Sequence, residues 1–76
     1  GFGDDEMARK YLQKSLAINP EGIDANYFFG DFLAEQDEPQ RARVYLEKVL
    51  AAPSRPGREV ADAGRRAEAK ARLDSL

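Results

Sequence analysis

Residues 8–17 read Ala-Arg-Lys-Tyr-Leu-Gln-Lys-Ser-Leu-Ala and residues 42–51 read Ala-Arg-Val-Tyr-Leu-Glu-Lys-Val-Leu-Ala, with seven of ten positions identical at a fixed shift of 34. The same shift carries Gly30 onto Gly64, so the segments following each stretch correspond as well. Self-similarity at a fixed period marks a repeat architecture, in which a unit that cannot bury its apolar face alone does so against its neighbours.

Working outward, turn signals fall at Gly1 to Gly3, at Asn19-Pro20-Glu21-Gly22, at Asp37-Glu38-Pro39 and from Pro53 to Gly57. They divide the chain into four segments, each long enough for a helix. The first, residues 4–18, steps Ala8, Leu12 and Leu16 by four, with Tyr11, Ser15 and Ile18 beside them. Asp4 is placed to cap its first amides, and Asp5 and Glu6 suit the positive end of the helix dipole. The second runs from Asp24, another N-cap candidate, to about Gln36. The third opens at Asp37 or Glu38, tolerates Pro39 in its first turn, and sets Ala42, Leu46, Val49 and Leu50 at helical spacing until Pro53 ends it. The fourth, residues 58–76, steps Arg58, Asp62, Arg66, Lys70 and Asp74 by four, a mixed-sign row that reads as a solvated ion-pair face capping the end of the array. No stretch alternates with period two and no hairpin dipeptide occurs, so the fold class is all-α with four helices.

A two-helix unit of 34 residues resembles the tetratricopeptide repeat, whose pattern is W-x2-L-G-x2-Y, then A-x3-F, then P. Asn26, Phe29, Gly30 and Leu33 stand at the W, L, G and Y places, Ala42 and Leu46 at the A and F places, and Ala8, Leu12 and Pro20 repeat the second half one unit earlier. Asn26 replaces the large aromatic, Pro53 falls one residue early, and Val60, Ala63 and Ala67 are small where the pattern wants bulk. The resemblance implies antiparallel helix-turn-helix packing, a right-handed α-solenoid fragment in one domain spanning residues 1–76. It would hold the second helix of one repeat at 4–18, a full repeat at 23–52 and a terminal helix at 58–76. Gly30, Ala8 and Ala42 would lie where helices cross closely, and Leu12, Leu46, Phe29 and Leu33 would supply the buried bulk. Such units ordinarily need about three copies to bury a continuous core, so the face of the first segment calls for a further helix, a second copy or a partner.

Composition narrows the function. A chain of 76 residues makes one small domain that hides only about 60% of its unfolded surface, and 12 of its 32 apolar residues are alanine. It has no cysteine and no histidine, which removes disulfides, thiolate nucleophiles, the usual zinc sites and imidazole catalysis; no cofactor or metal is expected. Redox compartment therefore leaves no mark, and cytoplasmic and exported settings both stay open. The longest bulky apolar run is Tyr27-Phe28-Phe29, so no membrane insertion is expected. The opening Gly1, in place of methionine, reads as an excised or processed segment. Residues 1–38 hold nine acids against three bases and residues 39–76 five acids against nine bases. That layout reads first as solvated helix faces and second as a dipole able to dock a second copy head to tail.

Candidate chemistry is sparse. Asp4, Asp5, Glu6, Asp37 and Glu38 sit where capping accounts for them, and Gly1-Phe2-Gly3 and Pro56-Gly57-Arg58 lack the context of a phosphate loop. Arg55, Arg58, Arg65, Arg66, Lys70 and Arg72 are interleaved with Glu59, Asp62, Glu68 and Asp74 in an acidic chain, which argues against nucleic acid. Nothing supports an enzyme. Tyr27, Phe28, Phe29 and Phe32 wrap more than half of one helix, which demands cover on several sides or a partner. Burial accounts for Phe29 and Phe32 better than for Tyr27 and Phe28. The resemblance implies a concave peptide groove on the first helix of each repeat, here Asp24, Tyr27, Phe28 and Asp31, extended by Glu35 and faced by Arg65. An aromatic groove with acidic flanks selects a protein or peptide segment with apolar anchors and Lys or Arg. The alternative role is structural: homo-oligomer formation through the first helix face of Tyr11, Leu12 and Ser15.

Overall fold

The computed structural model describes residues 2–76, with side chains from Asp4 onward. The fold is all-α with four helices: α1 (Phe2–Ile18), α2 (Ile23–Glu35), α3 (Pro39–Ala51) and α4 (Glu59–Asp74). The central element is α2, which packs on each of the other three, whereas α1 touches α2 alone among the helices. Its mean hydropathy is the highest of the four, as a helix flanked on several sides requires.

Local chemistry sets the boundaries. Pro20 and the turn through Gly22 part α1 from α2, and Gly22, not Asp24, is the N-cap of α2. Asp24 lies in the first turn, where its carboxylate reaches across to arginines instead of back to the helix amides. Asp4 is likewise no N-cap, because α1 begins at Phe2 and Asp4 and Asp5 fall within its first turn. At the end of α2, Asp37 takes φ 60, and the amides of Asp37 and Glu38 donate to the carbonyls of Ala34 and Leu33 at 3.1 and 2.9 Å. This left-handed stop closes the helix on its own carbonyls. Glu38 then serves as N-cap to α3 with Pro39 in the first helical position.

The core is Ile23, Phe29 and Leu33 from α2, Ala42, Leu46 and Val49 from α3, and Ala69 from α4. At Gly30 the helices approach closely: a Cβ built there would lie 2.7 Å from Leu46 Cγ and 3.3 Å from the Ala42 carbonyl. Only glycine lets α3 come in at that depth. Phe29 meets Tyr45 edge to face at 4.8 Å and stacks on Phe32 at 6.3 Å.

Two buried polar side chains hold the turns. Asn26 donates from Nδ2 to the carbonyls of Pro20 and Gly22, at 2.9 and 2.8 Å, which fixes the entry to α2. Asp62 is fully buried, correcting the expectation of a solvated charge row on α4. It accepts hydrogen bonds from the Arg55 guanidinium and, at 2.9 Å, from the Arg55 amide. These bonds, the guanidinium's first, hold its carboxyl down to about 2. Further along the row, Arg66 reaches the Ala52 carbonyl and Ser54, and Lys70 and Asp74 remain an exposed pair.

Candidate functional site

α1 and α2 diverge around an open cleft of about 740 Å³. Its floor is apolar, made by Ala8, Tyr11 and Leu12 from α1 and by Ala25, Phe28 and Phe32 from α2. Its rim is acidic, with Asp4 and Asp5 on one side and Asp24, Asp31 and Glu35 on the other. Helical geometry produces this layout. Residues 24, 28, 31 and 35 fall on one stripe of α2, and Ala8, Tyr11, Leu12 and Ser15 fall on one face of α1. Tyr11 is 71% exposed and Phe28 46%, large apolar groups that the chain leaves at the surface.

Of the six residues singled out from sequence, Asp24, Phe28, Asp31 and Glu35 line the cleft, whereas Tyr27 and Arg65 lie outside its lining, on the α4 side. Asp24, Tyr27, Phe28, Asp31 and Glu35 line α2, and Arg65 arrives from α4. Arg65 Nε lies 3.1 Å from Asp24 Oδ1, and its guanidinium sits over both the Tyr27 and the Phe28 ring, 4.9 and 4.7 Å from their centroids. The two rings also meet edge to face at 5.6 Å. Tyr27 is thus half-buried and turned to α4, and burial first, then Asp31 and Glu68, pushes its phenol up. Phe28 is the ring that faces the cleft.

One feature of this stripe escaped the sequence. Arg72 Nε lies 3.0 Å from Asp31 Oδ1, and Arg72 also pairs with Glu35. The acids of α2 are therefore balanced on their α4 side, by Arg65 for Asp24 and by Arg72 for Asp31 and Glu35. The signal was available in the spacing: two acids seven apart on α2 face two arginines seven apart on α4, which also makes these helices parallel. Outside the cleft lining, Arg9 joins α1 to Glu38 at 2.6 Å and lies 5.3 Å from the Phe32 centroid. Hydrogen bonds from Arg9 and then Arg41 hold the Glu38 carboxyl below its ordinary value.

Among the described residues lining the cleft no nucleophile is paired with a base, and the carboxylates stand on an open rim. Among the described residues no cluster of His, Cys, Asp or Glu is disposed to hold a metal, and no helix is long and apolar enough to cross a membrane. What the arrangement offers is an apolar trough with an acidic border. Comparison with protein-family models, with curated proteins and with solved structures returns no match.

Proposed function

We propose that this chain is a non-enzymatic protein-interaction module of the helical-repeat kind that its 34-residue period resembles. The α1/α2 cleft takes a segment of a partner protein or peptide that presents apolar anchors beside Lys or Arg. The observation that carries the reading is the cleft itself, where Tyr11, Leu12, Phe28 and Phe32 form an apolar floor inside a border of Asp4, Asp5, Asp24, Asp31 and Glu35. Exposed aromatics of this kind supply the few contacts that dominate binding energy. The α2 acids of the border are already paired with Arg65 and Arg72, so the preference for a cationic ligand rests on Asp5 and on the excess of nine acids over three bases in residues 1–38. Phe28 is the first anchor, because its ring lines the trough. Tyr27 supports it from the α4 side and contributes less.

Fluorescence anisotropy with matched peptides, identical in apolar residues and carrying either Lys and Arg or Asp and Glu, tests this. The cationic peptide should bind more tightly, with the difference shrinking as salt screens the border. Phe28→Ala should weaken it about tenfold, or roughly 1.4 kcal/mol. Preference for the acidic peptide would contradict the proposal.

A further inference from the structure

The α2/α3 interface is written twice in the sequence and formed once within the chain. Along α2, Asn26, Phe29, Gly30 and Leu33 are all buried. A shift of 34 sets Val60, Ala63, Gly64 and Ala67 at the same places on α4, and all four are exposed, Val60 to 89%. Where a Cβ on Gly30 would strike Leu46, one on Gly64 would meet nothing within 4 Å.

The other half of the interface recurs on α1. Ala42, Tyr45, Leu46 and Val49 of α3 shift back onto Ala8, Tyr11, Leu12 and Ser15, and all four of these line the cleft. Tyr45 is half-buried on Phe29, while Tyr11, at the matching place, stands in the open. The chain thus holds a helix face of the α2 kind and a helix face of the α3 kind, each without its counterpart among the described residues.

Charge follows the same register. Asp24 pairs with Arg65 and Asp31 with Arg72 between α2 and α4. Carried one period across a junction, with α4 of one copy in the place of α2 and α2 of the next in the place of α4, these become Arg58 with Asp31 and Arg65 with Glu38. Each sign reverses and each pair remains opposite. At longer range, the half of the chain holding the cleft has three bases against nine acids and the half holding α4 has nine bases against five acids. A head-to-tail contact brings these unlike halves together, whereas a two-fold contact of either end with itself opposes like charges.

We propose that α4 of one copy docks in the α1/α2 cleft of a second copy of this chain, seating the second copy's Leu12 on Gly64 and continuing the 34-residue period across the junction. The pairing rests on the cleft being the binding surface and names its occupant. Tyr11 of the second copy covers Ala63, and Arg58 faces the second copy's Asp31. The contact is heterologous, so each dimer keeps one open cleft and one open α4, and association continues into short chains.

Sedimentation velocity over roughly a hundredfold range of concentration reads this directly, with circular dichroism confirming that each variant is folded. The wild-type chain should grow in size with concentration. Gly64→Leu and Tyr11→Lys alter exposed positions, so both should stay helical, and each should weaken association about tenfold or more. An equimolar mixture of the two variants should restore a 1:1 dimer at concentrations where each alone is monomeric, because one intact cleft then meets one intact α4. A wild-type chain that stays monomeric, or a mixture no more associated than its components, overturns the proposal. Binding of the cationic peptide separates the two claims: a monomer that binds it loses only the self-docking, and a chain that does neither loses both.

Discussion

Gly30 and Gly64 occupy the same place 34 residues apart, yet at one a Cβ would strike Leu46 of the neighbouring helix and at the other it would face open space. The inversion extends to other matched pairs. Leu46 is fully buried and Leu12 half-buried; Asp62 is fully buried while Phe28, its match on α2, is the ring at the cleft surface. A repeat register therefore fixes which residue types a helix face carries, and the neighbours present decide whether that face becomes core or surface. Where α4 lacks apolar partners, the Asp62–Arg55 anchor holds its start in place.

The comparison is broken most easily at the leucines. Leu46→Ala should cost about 3 kcal/mol in urea unfolding, a large share of a small domain's stability, and Leu12→Ala about 1 kcal/mol or less, because Leu12 has less burial to lose. Equal losses would show that the two interfaces are equally filled.

Acid titration of stability is the next test. The Asp62 carboxyl is held at about 2 against an ordinary 3.8, so the folded state favours its charged form. That contribution is complete above the ordinary value and is lost as pH falls from about 4 towards 2, with Glu38, lowered by Arg9, adding to the same limb. Asp62→Asn should lower stability at neutral pH and flatten the acid limb, checked by thermal melts across that window.

The glycines give a smaller effect of opposite sign. Gly30→Ala forces Leu46 aside and should cost about 1 kcal/mol net, overpacking outweighing the gain in helix propensity. Gly64→Ala meets no neighbour and should stabilise the dilute monomer by up to about 1 kcal/mol. Denaturation at low concentration separates them. The smallest effect belongs to the exposed Lys70–Asp74 pair, 3.8 Å apart, whose removal by Lys70→Ala should shift stability by less than about 0.5 kcal/mol.

Much of the fold was legible because its signals are local. Proline and glycine marked the turns between helices, and four-residue steps, apolar in α1 and α3 and charged in α4, placed the helices they divide within a few residues. The starts were misread for different reasons: the Asp24 carboxylate turns to Arg65 instead of the helix amides, and α1 begins at Phe2, which leaves Asp4 within its first turn. Asp62 looked solvated because spacing along α4 says nothing of Arg55, which the loop after α3 brings to it. At the candidate site, the α2 stripe came from the resemblance to a helical-repeat groove; the structure sets Asp24, Phe28, Asp31 and Glu35 on the cleft and Tyr27 and Arg65 on the α4 side. The wall that α1 contributes through Tyr11 and Leu12 was read only as an associating face, since which side of α2 it would border depends on tertiary packing.

The most direct test of the cleft as the binding surface is a ¹H–¹⁵N spectrum of the Gly64→Leu chain, which removes self-docking, titrated with the cationic apolar peptide. Shifts gathered at Tyr11, Leu12, Phe28 and Phe32, with Gln40, Val44 and Glu47 on the outer face of α3 unmoved, are the expected result. Shifts centred on that α3 face, or none at saturating peptide, would contradict the account.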